Sequence, residues 1–307
     1  MSTGMSTPTS TGMGRVAVVT GATDGIGRAV AVRLATHGFR VLAVGRSPER
    51  GASLLAELAA SGPSVLYATP HRFLPADLAS MAGTAALADV VAAAADRVDA
   101  LVCCAGIFAL RPEWTDEGFE RTFALNYLSR FLLLRRLEPS LRRAPSARVV
   151  LVANAGKYRD TLDLDDPHYR RGRPGMRVSA RTQFANDLLA AELAERYRGS
   201  SVAATCVFPG VVRTDVFRHG VGVPRPLAAV IGAAATRVGL KPEAAADTPA
   251  WLVDSAETRQ VSESFFGPNR SVRRIPDRVR RPDRRQQLWA VSERLTAPWL
   301  ARMPADR

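Results

Sequence analysis

Short apolar runs alternate with longer amphipathic segments along most of the chain. Runs of this length that are rich in β-branched residues and bounded by Gly or Pro are typical of buried strands. They are "RVAVVT" (15–20), "FRVLAVG" (39–45), "VDALVCCAG" (98–106), "ARVVLVAN" (147–154) and "VAATCVFPG" (202–210). Strands that alternate with helices predict a parallel sheet covered on both faces. We therefore expect an α/β fold with a doubly wound parallel sheet.

The segments between these runs have the spacing of helices. In "SPERGASLLAELAAS" (47–61), Ser47 can cap the helix and Pro48 can occupy its first position. Helices are also predicted at 29–38, 81–97, roughly 116–143 and 179–198, and a weaker third strand is predicted near "VLYATPHRF" (65–73). No linker and no internal repeat divides the chain. We expect one domain over 15–307 after a disordered, Ser, Thr and Gly-rich leader over 1–14, which lacks the basic and apolar regions of a signal peptide.

The net charge is +13, and it comes almost entirely from arginine because Lys157 and Lys241 are the only lysines. The densest basic run, 269–289, contains prolines and lacks the interleaved aromatic residues that would stack on bases. A solvated tail explains this run better than nucleic-acid binding, so we expect no nucleic-acid partner. The chain contains no apolar stretch of about 18 residues, which excludes a membrane span.

Three cysteines, Cys103, Cys104 and Cys206, do not form a disulfide framework, and no residues show metal-ligand spacing. We therefore expect a protein of the reducing cytoplasm that binds no metal. A homodimer is compatible with the sequence.

The turn after the first strand, "TGATDGIG", has the composition of a phosphate-binding loop. Its glycines permit a tight turn and a close approach of backbone N–H groups to a phosphate, and the following helix directs its positive N-terminus to the same place. A Gly cluster can also simply close a strand–helix loop, but its place between a strand and a helix favours nucleotide binding. The predicted binding residues are Gly21, Thr23, Asp24, Gly25, Ile26 and Gly27.

The end of the second strand indicates which dinucleotide is bound. An acidic residue there would accept a hydrogen bond from the ribose 2′-OH of NAD. Gly45 and Arg46 stand at this place instead, and no carboxylate accompanies them. A guanidinium can hold a 2′-phosphate through two hydrogen bonds, so NADP(H) is the predicted cofactor, although Arg46 could also be an ordinary surface arginine.

The ordered motifs resemble those of the short-chain dehydrogenase/reductases over residues 15 to about 300. These motifs are "TGATDGIG" (20–27), "ADLAS" (76–80), "CCAG" (103–106), "ALNYLS" (124–129) and "PGVVRT" (209–214). "LDLDD" (162–166) and "WAVSERL" (289–295) are most similar to the retinol-dehydrogenase-like branch. One departure is that the family's "NNAG" is "CCAG" here, which removes side-chain hydrogen bonds from that turn.

The resemblance implies a single Rossmann-type domain with about seven parallel strands. It also implies further cofactor contacts and a small-molecule substrate. It implies that Asp77 and Leu78 lie by the adenine and that Ala105 and Gly106 lie beside the cofactor. It also implies that residues after the sixth strand, Pro209, Gly210 and Thr214, lie near the nicotinamide.

The same resemblance indicates an altered catalytic set. In the family a Ser polarises the substrate carbonyl, a Tyr transfers the proton, a Lys lowers the pKa of that Tyr, and an Asn supports a water relay. The resemblance places Asn154 at the Ser position, Ser179 at the Tyr position and Gln183 at the Lys position, while Asn126 is kept. The Asn154 amide can still donate to an oxygen, but neither Ser179 nor Gln183 can replace an ammonium-activated phenol.

Three functions remain open from the sequence. The first is an enzyme with an atypical step, such as an isomerisation, cyclisation or elimination on a carbonyl-bearing molecule of specialised metabolism. The second is an NADPH-dependent oxidoreductase with a relocated proton donor, for which Tyr158 beside Lys157 is the best-placed tyrosine. A packing role for Tyr158 is the alternative. The third function is a non-catalytic nucleotide-binding scaffold.

Overall fold

The computed structural model describes residues 14–61, 69–213, 220–224, 226, 237, 239–258, 261 and 264–301. Within these ranges the chain forms one mixed sheet with helices on both faces. The predicted leader lies almost wholly outside the described residues, as does most of the N-terminal half of the predicted third strand.

Eight strands form the sheet in the order β3-β2-β1-β4-β5-β6-β7-β8. Their bounds are β1 Arg15–Thr20, β2 Phe39–Gly45, β3 Arg72–Pro75, β4 Ala100–Cys103, β5 Ala147–Val152, β6 Val202–Val207, β7 Phe265–Phe266 and β8 Val272–Arg273. All neighbours are parallel except β7 and β8, which are antiparallel. The doubly wound α/β fold is confirmed, and the short antiparallel eighth strand is an addition that the apolar pattern did not predict.

The main helices cover the two faces of this sheet. Their bounds are α1 Gly25–Thr36, α2 Pro48–Ser61, α3 Met81–Ala94, α4 Arg121–Phe123, α5 Ser129–Arg142, α6 Arg177–Arg196, α7 Pro242–Ala245, α8 Asp247–Asp254, α9 Asp277–Arg280 and α10 Pro282–Leu300. Strands β2, β4, β5 and β6 are buried along their whole length, because helices lie over both faces of the sheet. None of the helices in the described ranges combines the length and apolar character needed to cross a bilayer.

The predicted long helix over 116–143 begins later than expected. Gly118 has a φ of 81°, and Trp114 and Glu120 form an isolated bridge, so this part of the chain is a turn. Glu120 then caps α4 by accepting hydrogen bonds from the backbone N–H groups of Thr122 and Phe123. A π-helical turn over Ala124–Leu128 connects α4 to α5 and carries Asn126.

Helix α10 packs against α3, α5 and α6 and completes the core on one face of the sheet. The indole of Trp289 meets the ring of Phe131 edge-on with 4.9 Å between ring centroids. Tyr127 Oη and Ser292 Oγ are 2.8 Å apart and share a buried hydrogen bond. The outer faces of α5 and α6 are therefore covered by a helix that comes later in the chain.

Candidate cofactor cleft and active site

A cleft of about 820 Å³ opens at the carboxyl ends of β1, β2 and β4. The strand order reverses between β1 and β4, and such a switch point is where open α/β sheets bind ligands. Predicted cofactor residues that line it are Gly21, Thr23, Asp24, Gly25, Ile26, Gly27, Arg46, Asp77, Leu78, Ala105 and Gly106. The fold thus brings these predicted dinucleotide-binding residues together on one surface.

Two glycines make the floor of this cleft possible. Gly21 has a φ of 65°, and a Cβ on it would lie 2.8 Å from the backbone nitrogen of Ala105. A Cβ on Gly27 would lie 2.2 Å from the carbonyl oxygen of Gly21. Side chains are excluded at both places, so the backbone of the loop stays open to a close approach by a phosphate.

The N-terminus of α1 faces the same cleft. Asp24 caps the helix, and its carboxylate accepts a hydrogen bond of 2.7 Å from the Gly25 N–H. The other carboxylate oxygen lies 3.3 Å from an Arg50 guanidinium nitrogen, in a pair that is largely exposed. The arginine offsets the negative charge that Asp24 would otherwise present to a pyrophosphate.

Basic groups gather where β2 ends. Arg46, Ser47 and Arg50 all line the cleft, and both guanidinium groups belong to exposed residues. Ser47 Oγ accepts from the Arg50 backbone N–H at 3.2 Å, which confirms the predicted cap of α2. Sequence reasoning missed Arg50, although its place in the first turn of a helix that starts at the cleft could have revealed it.

Asn154 follows the last residue of β5 by two positions. The Asn154 backbone carbonyl oxygen accepts a hydrogen bond of 3.0 Å from the Lys157 N–H, and Asn154 is only partly buried. Its side chain makes no hydrogen bond to another residue in the described part of the chain, so the amide is available to a ligand.

Tyr158 is half-buried, and burial raises the pKa of its phenol. The Lys157 ammonium lies 3.4 Å from the centroid of the Phe208 ring.

Ser179 is buried in the first turn of α6. Its hydroxyl donates to the Ala109 carbonyl oxygen at 2.8 Å and accepts from the Ala109 N–H at 2.8 Å. One hydroxyl thus satisfies both backbone groups of a single residue, and this residue also forms an isolated bridge with Val221. The Ser179 hydroxyl is therefore engaged with the backbone of Ala109.

Asn126 and Gln183 lie on the two helices beside this contact. The Asn126 amide oxygen accepts from the Ile107 N–H at 2.9 Å, and its nitrogen donates to the Ile107 carbonyl oxygen at 2.9 Å. The same nitrogen lies 3.4 Å from Thr182 Oγ1. Gln183 differs, because its buried amide oxygen finds no hydrogen-bond donor in the part of the chain that the structure describes. A ligand N–H or O–H group could satisfy it.

A buried arginine that sequence reasoning missed joins these elements. Arg130 donates to the Ala105 carbonyl oxygen at 2.9 Å, to the Val152 carbonyl oxygen at 3.0 Å and to Asn186 Oδ1 at 3.1 Å. It therefore ties the turn after β4 to the end of β5 and to α6. An arginine four residues after Asn126, in the otherwise apolar run "RFLLL", was the available signal.

A buried carboxyl group supports the loop that follows Asn154. Asp187 Oδ2 accepts from the Gly156 N–H at 2.9 Å, and Cys206 Sγ lies 3.7 Å from Oδ1. Burial raises the pKa of Asp187 to about 7. Through the Gly156 N–H, the Asp187 carboxyl group fixes the backbone of the loop that follows Asn154.

Pro209 and Gly210, which are also predicted to contact the cofactor, are not among the residues that line the cleft. Pro209 and Gly210 follow β6, and Gly210 has a φ of 98° with Leu240 and Pro268 against it. Thr214 lies outside the described residues. The prediction that these three contact the nicotinamide stays a prediction.

Sequence comparisons connect this arrangement with known dehydrogenases. A family model described as short chain dehydrogenase matches residues 15–161. Dehydrogenase/reductase SDR family member 13 of Homo sapiens is 34% identical over 287 residues, which cover 92% of this chain and 73% of that protein. Polyprenol dehydrogenase of Mus musculus is 32% identical and covers 92% and 84% of the two chains. Retinol dehydrogenase 14 of Homo sapiens is 30% identical and covers 91% and 85%.

Solved structures share the fold. An uncharacterized protein from Mycobacterium paratuberculosis superposes with a TM-score of 0.68 at 23% identity, covering 92% of this chain and 93% of that one. The Pseudomonas aeruginosa RhlG/NADP active-site complex superposes with a TM-score of 0.61 at 27% identity, covering 80% and 91%.

Proposed function

Because this chain belongs to the short-chain dehydrogenase/reductase family, in its retinol-dehydrogenase-like branch, we propose that it is an NADP(H)-binding enzyme of atypical chemistry. Its substrate is a carbonyl-bearing small molecule of specialised metabolism. The reaction is an isomerisation, cyclisation, elimination or similar step that does not require an ammonium-activated phenol. The contact that carries this proposal is the pair of hydrogen bonds between the Ser179 hydroxyl and the Ala109 backbone.

The cleft supports the cofactor part of the proposal. Gly21 and Gly27 leave room for a pyrophosphate, and the N-terminus of α1 directs its backbone N–H groups toward it. Arg46 and Arg50 would hold a 2′-phosphate on the adenosine ribose. When bound, the dinucleotide supplies a nicotinamide ring that can carry hydride.

We expect Arg46→Ala to weaken NADP binding about tenfold and to change NAD binding little. A hydrogen bond to a charged group contributes about 1.5–3 kcal/mol, and only NADP carries the phosphate that would receive it. Calorimetric titration of both nucleotides against the wild type and the variant measures the difference. Arg72→Ala removes an exposed arginine outside the cleft lining and serves as the control. Equal affinity of the wild type for NAD and NADP would contradict the proposal.

The chemistry follows from what each side chain can still do. The Ser179 hydroxyl already serves Ala109, and the Gln183 amide carries no charge that could acidify a neighbour. Loss of a positioned general acid costs about 10²–10⁴ in rate, so ordinary carbonyl reduction would be slow at this site. The Asn154 amide can instead donate to a substrate oxygen and stabilise negative charge on a carbonyl or enolate without transferring a proton.

An assay that follows product mass and nicotinamide absorbance together tests the proposal. The purified protein is incubated with NADPH and a panel of small ketones, enones and keto esters. Products with unchanged nicotinamide absorbance are the expected result. Steady oxidation of NADPH in proportion to a reduced product would overturn the non-redox step. Nucleotide binding without turnover of any candidate would favour the scaffold function.

A second candidate is an NADPH-dependent oxidoreductase in which Tyr158 donates the proton. Its support is that the named relatives are dehydrogenases and that Tyr158 lies in the loop directly after Asn154. Two features oppose it. Burial raises the pKa of the Tyr158 phenol, which makes it a weaker acid, and the Lys157 ammonium lies over Phe208. Tyr158→Phe distinguishes the two candidates, because only the second requires the hydroxyl.

A further inference from the structure

The basic run over 269–289 folds back onto the loop that follows Asn154. It passes from β8 into α9 and then into α10, which packs in the core. Two of its arginines, Arg278 in α9 and Arg284 in the first turn of α10, donate hydrogen bonds to the loop over 156–162. The run is therefore more than a solvated tail, because it binds the segment beside the candidate oxygen-binding residue.

The loop begins with a tight turn. The Asn154 carbonyl oxygen accepts from the Lys157 N–H at 3.0 Å, and Gly156, the third residue of this turn, has a φ of 76°. A type II turn requires a positive φ at this position, and glycine adopts it without strain. A Cβ on Gly156 would also lie 3.2 Å from Pro276 Cγ. The turn thus packs directly against the basic run.

Arg278 and Asp187 hold Gly156 through its two backbone polar groups. Arg278 Nη2 donates to the Gly156 carbonyl oxygen at 2.7 Å, and Arg278 Nε donates to the Tyr158 carbonyl oxygen at 3.0 Å. Asp187 Oδ2 accepts from the Gly156 N–H at 2.9 Å. Hydrogen bonds from a guanidinium are stronger than those between neutral groups. The turn that starts at Asn154 is therefore fixed between α6 and α9.

Arg284 fixes the far end of the same loop. Its Nε and Nη2 donate to the two carboxylate oxygens of Asp160 at 2.8 Å and 3.0 Å, and Nη2 also bonds to the Leu162 carbonyl oxygen. The Arg284 side chain is 17% exposed. Such a two-pronged pair restricts orientation as well as distance. Helices α9 and α10 thus tie the loop at both ends to a part of the fold that comes more than 100 positions later.

We propose that Arg278 is a positioning residue that fixes the turn after β5 and thereby orients the Asn154 amide toward the substrate oxygen, while Arg284 fixes the end of the same loop. This inference rests on the proposed function. A donor must be held close to its productive geometry, and a displacement of about 1 Å can cost about 10² in rate. Neither arginine needs to touch the substrate, because both act through the loop backbone.

A double-mutant cycle of Arg278→Met and Asn154→Ala tests this coupling. Steady-state kinetics use the compound that the turnover assay identifies. We expect Arg278→Met to lower kcat about tenfold, because the amide is no longer held in place, while KM and NADP affinity change less than about twofold. In the Asn154→Ala background the same change should cost less than about twofold, since the amide that it orients is gone. A merely structural contact would cost the same in both backgrounds.

Amide hydrogen exchange over 154–162 gives a readout that does not depend on activity. The Gly156 and Lys157 amides are both hydrogen-bonded, and Arg278→Met should raise their exchange rates about tenfold without changing those of β5. Arg278→Lys keeps one hydrogen bond to a carbonyl and should restore part of the protection and part of kcat. Arg274→Met is the matched control, because Arg274 belongs to the same run and pairs with Asp277 instead.

The outcomes separate this role from the proposed function. An active wild type with equal losses of kcat in both backgrounds, or with unchanged exchange over 154–162 in Arg278→Met, refutes only the role of Arg278. A wild type that turns over no compound refutes the proposed function, and the positioning role with it. If Arg278→Met does not fold, Arg278→Lys takes its place in the cycle, and its smaller loss of kcat should again require Asn154.

Discussion

Asn154→Ala is expected to lower kcat on the native substrate by about 10²–10³ while cofactor affinity and the free energy of unfolding stay nearly unchanged. Loss of one oxyanion-stabilising donor typically costs about 2.7–4 kcal/mol in the transition state. The residue follows β5, is partly exposed, and makes no side-chain hydrogen bond within the described ranges, so little stability depends on it. Steady-state kinetics on the compound that the turnover assay identifies, together with urea unfolding, measure both effects.

Two further variants define the role of the amide. Asn154→Asp replaces the donor by an acceptor of the same shape and should be as slow as Asn154→Ala. Ser179→Ala should do less harm to kcat, because the Ser179 hydroxyl faces the Ala109 backbone. Full activity in Asn154→Ala would remove the oxygen-binding role and favour Tyr158.

Arg181→Met is expected to lower the free energy of unfolding by about 3–5 kcal/mol. The Arg181 guanidinium forms an ion pair with Glu120, and their side chains are 2% and 0% exposed. Arg181 also donates to the Pro167 carbonyl oxygen at 3.0 Å and lies over the ring of Phe123. Removal of one partner from a buried pair leaves an uncompensated charge in the interior, which is the main source of the cost.

Urea unfolding of the double variant tests this account. Arg181→Met with Glu120→Gln removes both charges and keeps an oxygen that can cap α4, so it should be more stable than Arg181→Met alone. Arg274→Met is the control, since Arg274 and Asp277 form a pair with 74% and 82% exposed side chains that should contribute less than about 1 kcal/mol. A double variant no more stable than Arg181→Met would show that packing, and not charge, dominates.

The sheet and the nucleotide end were predictable because local signals and global fold agree there. The first two strands match their predicted bounds, and the predicted cap at Ser47 forms. Helix α6 spans Arg177–Arg196 where 179–198 was expected. The close contact that requires glycine at position 27 is local, with the Gly21 carbonyl, whereas that at position 21 is with Ala105 of the turn after β4. The motif was readable all the same, because its glycines stand directly between a strand and a helix.

The helix expected over 116–143 shows where local reading failed. Its residues are compatible with a helix, but Gly118 adopts a positive φ and the Glu120 carboxylate caps the chain two residues later. Glu120 is held there by Arg181, a contact across 61 positions. A pairing at that separation leaves no local pattern from which the helix start could be inferred.

The contacts at the catalytic positions were less predictable than the cofactor cleft, again because they join distant parts of the chain. The composition at positions 179 and 183 indicates which groups are absent, but it gives no sign that the Ser179 hydroxyl bonds to Ala109, 70 positions earlier. Arg130 was overlooked because the chain contains forty arginines, and composition does not show which of them are buried. Its importance depends on three acceptors from three separate elements, which only the folded structure brings together.

The position of α10 has a consequence for how the protein is made. Phe131 of α5 and Tyr127 of the π-helical turn before it are covered by Trp289 and Ser292 of this helix. A chain emerging from the ribosome therefore presents an open apolar surface until more than 280 residues have been synthesised. During that interval the surface can associate with other nascent chains, and chaperones that shield it would raise the yield of folded protein.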